Sequence, residues 1–484
     1  MKRLMATLLL LVTVAGCVDD NADSEPVIEP TTCPESPFEH PEVQILNITD
    51  DPIVDERELA WDFSTYNVRT CDLFTVGHTP LRWAADGAPD PHGYIGEIDI
   101  KAEHDLAAVA ALGAGPERGT AYLLDISDRA NPQVLSSIEQ GGTYLVDVKI
   151  SPDGRYLAAA SQTAPSAELL EGVPPATLGA ELTSNYGFTL YDIRDPSNPS
   201  YMMTYPDLGT GCHMLSFVII QDTHVIACVS DVLKVWGFVE AAPGTLVPLG
   251  FVPYVPTDAG TGLHDMTISY DDVTGAPTMA VSRWENGVDI VDLSNAPQAE
   301  FLGNWAGQGA THWGGNLHTA MMFYADGTRY VMASPEYTSG GNVPSLWVLD
   351  ATDYGNMNLV GEWYHPNEHD SQGLFLTTHQ WQVAPTGPDV PLEDVHVYLT
   401  MNHGGVWVLG FKEMLEGDLW GAIKGFHLTR TPLDEATAVT ANAVLNTWDV
   451  NLVDGYIYGT DRATGVWVLD YRGDDHLTDL TGFA

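Results

Sequence analysis

The chain has 484 residues, 44% hydrophobic and 18% charged, a composition that builds a core and excludes a disordered polymer. It carries 66 Asp and Glu against 19 Lys and Arg, a net charge of −47, and such a surface repels nucleic-acid phosphates and anionic lipid. No polynucleotide partner is expected.

Lys2 and Arg3 precede an apolar run from Leu4 to Val14, too short to span a bilayer as a mature helix. The run ends in Val14-Ala15-Gly16-Cys17, which resembles the lipobox of bacterial lipoproteins. That resemblance implies that residues 1–16 are a signal peptide and that Cys17 carries a lipid. It also implies an outer-membrane or cell-surface protein of a bacterial envelope, facing the periplasm or the exterior, with an ordinary secretory signal as the alternative. Residues 17–32 are acidic, contain proline and lack apolar periodicity, as a tether would. Residues 33–92 hold short apolar runs broken by Pro and Asp and read as an N-terminal extension packed on the main domain. Cys33, Cys71, Cys212 and Cys228 then form an even set in an exported chain, which points to disulfides. Of the three pairings, locality favours Cys33–Cys71 and Cys212–Cys228. No Cys-x-x-Cys spacing suggests a metal for them.

From about Gly93 to the end at residue 484 a repeat takes over. Its clearest part is a β-branched and aromatic strand ending in Asp: Leu123-Leu124-Asp125-Ile126, Leu190-Tyr191-Asp192-Ile193, Ile290-Val291-Asp292-Leu293, Trp347-Val348-Leu349-Asp350 and Trp467-Val468-Leu469-Asp470. Weaker copies are Val232-Leu233-Lys234-Val235-Trp236 and Val406-Trp407-Val408-Leu409, which brings the number of units to seven. Asp-Gly turns at Asp153-Gly154, Asp326-Gly327 and Asp454-Gly455 mark hairpins before such strands, and a further strand follows the Pro-containing turn after them. Four antiparallel strands per unit, repeated, predict an all-β, seven-bladed β-propeller; a sandwich is the alternative, but would not need so regular a unit. Helix is expected only as short pieces near Ala167–Leu170 and Glu413–Glu416. The outer strand of the last blade is expected from residues 476–484 or from the N-terminal extension.

The motifs Leu123-Leu124-Asp125-Ile126-Ser127, Asp289-Ile290-Val291-Asp292-Leu293 and Trp467-Val468-Leu469-Asp470 resemble those of the LVIVD-repeat β-propeller proteins, over roughly residues 93–475. The resemblance implies the fold and is nearly silent on activity.

A second pattern lies in the first strand of each unit. Gly211-Cys212-His213, Gly262-Leu263-His264, Asn316-Leu317-His318 and Thr378-His379 place a histidine at one position in four consecutive units. Ile98, Val146 and Trp448 are aligned with it in the others, so the ring around the axis reads Ile98, Val146, His213, His264, His318, His379, Trp448. With histidine at 16 of 484 residues, four such coincidences are far from chance. Imidazole suits Fe, Cu and Zn, and the four histidines are the candidate metal ligands, with Ile98, Val146 and Trp448 as an apolar pocket wall. The alternative is that they pack by hydrogen bonds around a water-filled channel. Such a centre is similar to the four-His iron site of the carotenoid cleavage oxygenases and to the metal-bearing propellers of the selenium-binding/methanethiol oxidase type. Asp99, Asp147, Asp265 and Asp449 follow the ring position and are expected on the other face of their strands, tying blades together or orienting imidazoles. His312, His365 and His369 precede ring strands and are expected near the channel mouth, with His312 added to the pocket. His403 is expected away from the axis.

No Gly-x-Ser-x-Gly, His-Glu-x-x-His or phosphate-binding glycine loop occurs, which disfavours a conventional hydrolase, protease or nucleotide enzyme. Two classes stay open. One is a monomeric, membrane-tethered scaffold that binds a protein or small molecule through its top face and its insertions at 162–184, 335–343 and 385–394. The other is a metal-dependent oxidoreductase, with Fe or Cu, acting on a small or apolar substrate.

Overall fold

In a computed structural model the described residues are 44–46, 68–70, 72–81, 95–112, 119–140, 144–162, 187–206, 211–229, 233–242, 244–254, 262–336, 343–366, 377–402, 404–428, 447–462 and 464–472. Cys17, Cys33, Cys71, His369, His403 and the stretch near Ala167 lie outside them. Among the described residues the strands pair into seven antiparallel sheets of four, one of them extended, which form a seven-bladed β-propeller. Blade 1 comprises Ile95–Lys101, Leu106–Ala111, Gly119–Asp125 and Gln133–Gln140, and blade 2 Tyr144–Ile150, Tyr156–Gln162, Gly187–Asp192 and Ser200–Pro206. Blade 3 comprises Met214–Ile220, Thr223–Val229, Leu233–Ala242 and Thr245–Tyr254, and blade 4 Leu263–Tyr270, Pro277–Arg283, Gly287–Asp292 and Glu300–Trp305. Blade 5 is Leu317–Ala325, Thr328–Pro335, Ser345–Asp350 and Asn358–Tyr364; blade 6 is Thr378–Ala384, His396–Met401, Gly405–Gly410 and Ile423–His427.

The last blade settles how the ring closes. Its strands Thr447–Val453, Tyr456–Asp461 and Gly465–Tyr471 are completed by Leu73–Thr79, from the stretch read as an extension. Val68–Thr70 pairs with Ile423–His427 on the outside of blade 6, and Gln44–Leu46 pairs with Val68–Thr70. A six-residue helix, Phe411–Glu416, interrupts blade 6 where a short helix was expected.

The five Asp-ending runs and the two weaker copies are the third strands, buried because neighbouring blades cover both faces. Their aspartates have a local task. Asp125, Asp192, Asp292 and Asp350 each accept a hydrogen bond from the backbone N–H two residues on, at 2.6–3.1 Å, and so hold the turn into the fourth strand. A glycine opens the third strand in blades 4, 6 and 7, at Gly287, Gly405 and Gly465, with φ of 82°, 79° and 101°. A Cβ there would collide with the carbonyl oxygen of Trp305, His427 or Thr79, at or just past the end of the fourth strand. Of the cysteines, Cys212 and Cys228 are joined across blade 3, with their Cα atoms 5.6 Å apart.

Ring closure therefore depends on Gly465 letting Leu73–Thr79 come close. Gly465→Ala combines the collision with an unfavourable φ and is expected to cost about 1–3 kcal/mol in urea unfolding. Blade 7 should lose amide protection first, read by hydrogen exchange; unchanged exchange there would contradict this closure.

Candidate functional site

The channel-facing side chains are set by an irregularity in the first strands. In blades 1, 2, 4, 5, 6 and 7 the ladder between first and second strands slips by one residue near its start, a β-bulge. In blade 4, Leu263 pairs with Arg283 and Met266 with Val281, which leaves His264 and Asp265 opposite a single residue. A bulge breaks the strict alternation of faces, so two consecutive side chains can be aimed at the axis. The aspartates expected on the far face are turned inward by it. Asp265 and Asp449 line the same axial cavity, of about 160 Å³, as Glu97, Thr319 and Gln380.

Matching the bulges defines the first tier as Gly96, Val146, His213, His264, His318, His379 and Trp448. Six of these were expected. In blade 1 the position belongs to Gly96 rather than Ile98, because Glu97, not Asp99, occupies the bulged acidic position; Ile98 lines the cavity one step lower. The four imidazoles and Trp448 form a continuous arc. Ring centroids are 4.6 Å apart for His213 and His264, 4.4 Å for His264 and His318, and 4.3 Å for His318 and His379. Trp448 follows His379 at 3.6 Å.

Burial leaves these imidazoles neutral. It lowers the pKa of His213 to about 4 and depresses those of His264, His318 and His379, with the neighbouring imidazoles adding to the shift for the last three. Arg462 contributes further to the lowering at His379. Neutral imidazole is the form that ligates metal. The Nδ1 of His379 donates to the Trp448 carbonyl at 2.8 Å, which leaves Nε2 as a lone pair. The Nδ1 of His318 lies 2.7 Å from the Thr319 hydroxyl, which is 3.1 Å from Asp265 Oδ2. The Nε2 atoms of His213 and His264 face each other at 3.2 Å, a contact that needs a proton or another cation between them. His264 Nδ1 is buried with no hydrogen-bond partner of normal geometry.

A second circle stands over this arc. One residue beyond the second-strand partners of Ile95, Leu145, Leu263, Leu317, Thr378 and Thr447 stand Leu112 in blade 1, Gln162 in blade 2, Trp284 in blade 4, Glu336 in blade 5, Asn402 in blade 6 and Arg462 in blade 7. Gln162 Oε1 is 3.0 Å from His213 Nδ1, and Trp284 stacks on His264 at 4.7 Å. Glu336 Oε2 is 3.8 Å from His264 Nε2. The ligand atoms of His264, His318 and Glu336 all lie within 4.8 Å of one another. Glu336 and Arg462 carry no motif; only the offset from a correctly registered second strand would have found them.

Below the arc lies an acidic tier of Glu97, Asp147, Asp265 and Asp449. The aspartates bridge blades, as their structural reading requires. Asp147 Oδ2 accepts from Leu215 N at 2.7 Å, Asp449 Oδ2 from Ile98 N at 2.8 Å, and Asp99 Oδ2, lower down, from Ile150 N at 2.7 Å. Burial raises the pKa of Glu97, Asp265 and Asp449 and brings that of Asp147 to about 6. Lys149 reaches into the tier, 2.7 Å from Asp147 Oδ1, and although burial opposes its charge, the surrounding carboxylates hold its pKa above the ordinary value.

The remaining histidines sit elsewhere. His312 packs edge-on against Tyr364 in the outermost strand of blade 5, at 5.0 Å, and so stands outside the channel wall. Its loop starts from the outer strand of blade 4 and is still near the rim at that point. His365 is buried between blades 5 and 6, with Trp363 and Trp407 at 6.3 and 5.4 Å. The insertion 385–394 joins first and second strands, so it lies at the end opposite the histidines, where Val390 and Pro388 accept from the Asp326 and Gly327 amides.

No protein-family model and no curated protein matches the chain. Among solved structures it is similar to the β-propeller domain of Cps50 (Swd1) from Myceliophteria thermophila, with 11% identity and a TM-score of 0.44, covering 80% of this chain and 99% of that one. It is also similar to Sqt1 from Saccharomyces cerevisiae, with 10% identity and a TM-score of 0.45, covering 80% and 83%. These likenesses are too loose to add to the strand pairing, which defines the class by itself: a seven-bladed propeller with a histidine arc on its axis.

Burial brings the pKa of His365 to about 4, below the ordinary 6.5. Because the unfolded chain takes up this proton first, the stability held by neutral His365 is full above about pH 6.5 and falls as the pH drops towards 4. Relative to His365→Gln, the protein should lose about 3 kcal/mol between pH 7 and pH 4 in denaturant titrations. An equal loss in both proteins would refute a neutral buried His365.

Proposed function

We propose that the chain is a metal-binding β-propeller whose ion is held at the channel mouth by His264, His318 and Glu336, flanked by His213 and His379. The observation that carries this reading is the approach of three ligand atoms to within 4.8 Å, from two blades and two different circles of the channel. Two imidazoles and a carboxylate suit Fe, Cu or Zn and leave open coordination positions. In the scaffold reading those positions bind a small molecule or a donor group of a partner protein. A metal-dependent oxidoreductase is the second reading, favoured by the donor set, which is that of non-haem iron oxygenases, and by the aromatic flanks Trp284 and Trp448. The lipobox-like Cys17 supports a membrane-tethered protein of the bacterial envelope, and the Asp-ending third strands support a place among the LVIVD-repeat propellers.

Purified protein loaded with Zn, Cu(II) or Fe(II) is expected to retain about one ion per chain by mass spectrometry of metals, as a single site implies. His264→Ala combined with His318→Ala should abolish this, and Glu336→Gln should weaken it. Wild-type protein that retains none of the three metals would sink the proposal.

The Thr319 hydroxyl links His318 to Asp265 and so fixes which nitrogen of His318 is bare. Thr319→Val is expected to reduce metal affinity about 10- to 100-fold. Thr319→Ser should restore most of it, and a Val variant that binds as tightly as wild type would remove Thr319 from the site.

A further inference from the structure

The mouth of the channel is asymmetric. Glu336, on blade 5, brings negative charge to the ion-binding side, whereas Arg462, on blade 7, brings positive charge to the other. The Arg462 guanidinium lies over the Trp448 ring, 3.4 Å from its centroid, so its plane is fixed by stacking. Its own carbonyl accepts from Ile95 N at 3.2 Å, which anchors it to blade 1. The Trp448 indole N–H is buried and meets no acceptor. A buried donor without an acceptor calls for an explanation, and a ligand oxygen would supply one.

We infer that Arg462 and Trp448 form an oxyanion subsite, which takes the carboxylate or equivalent oxyanion of a small molecule whose other end reaches the ion at His264, His318 and Glu336. The inference rests on the metal reading for its second anchor. Arg462 makes a further contact of its own, but a guanidinium has five N–H donors in a planar fork and can keep one partner while receiving an oxyanion. On a chain of net charge −47, a fixed cation beside a bound metal ion is a local inversion of sign, which selects for anions at that point. The subsite would orient the ligand; coordination to the metal would hold its other end.

The test uses acetate as the probe, titrated into Co(II)-loaded and metal-free full-length protein. Binding is read by calorimetry in both and by Co(II) visible absorption in the loaded form. Arg462→Met keeps an apolar stem over Trp448 and removes the charge; it should weaken acetate about tenfold or more while leaving Co(II) affinity unchanged. Arg462→Lys keeps the charge without the planar fork, should fall between the two, and serves if the Met variant does not fold. Equal acetate affinity in wild type and the Arg462 variants, or no acetate binding to loaded wild type, overturns the subsite. If wild type takes up no Co(II), the metal reading has failed separately. The metal-free titration then decides: loss of acetate binding with Arg462→Met keeps the subsite, and no such loss removes it.

Discussion

Everything at the axis depends on a strand contributed from the other end of the chain. Leu73–Thr79 pairs with Gly465–Tyr471 and makes blade 7 a four-stranded sheet like the others. A propeller blade is curved against its two neighbours, and an incomplete blade would leave both adjoining faces partly uncovered. The inward strands of blades 6 and 7, which carry His379 and Trp448, would then lose the packing that holds them against the arc. Pairing between residues nearly 400 positions apart is costly in chain entropy, and the burial of Leu73, Phe74 and Thr75 offsets it.

On this frame the bulge in the first strands gives the channel two tiers from adjacent residues. Histidines occupy one and acids the next; Asp147 and Asp449 are engaged with backbone amides of neighbouring blades, and Asp265 with the Thr319 and Gln380 side chains of blades 5 and 6. The chemistry-bearing tier is thereby seated on a layer whose hydrogen bonds cross blade boundaries, so the imidazoles cannot shift singly without disturbing two sheets. Thr319 joins the tiers directly, through His318 on one side and Asp265 on the other.

The propeller was legible because its third strands repeat one apolar run, which in five of the seven ends in an Asp, and in four of those the Asp has the same local job of holding the next turn. The histidine arc was legible for a similar reason, as one residue type recurring at one place in a strand. Blade 1 misled because Glu97 and Asp99 alternate, so two registers satisfied the acidic pattern and the bulge decided between them. The outer circle was hidden. Glu336 and Arg462 occupy equivalent positions with opposite charges, and equivalence without identity leaves no pattern in a sequence. His312 was misplaced because nearness along the chain to a ring strand is not nearness to the axis when the loop between starts at the rim.

The acidic tier also gives the channel a direction. Below the histidines stand four acids crowded and buried enough that the pKa of each is raised, a group that favours a proton or another cation, with Lys149 reaching in among them. An anion meets a rising electrostatic barrier at the same depth. The axis thus changes the sign it favours with depth: the acidic tier disfavours anions, whereas Arg462 brings a positive charge on the histidine side.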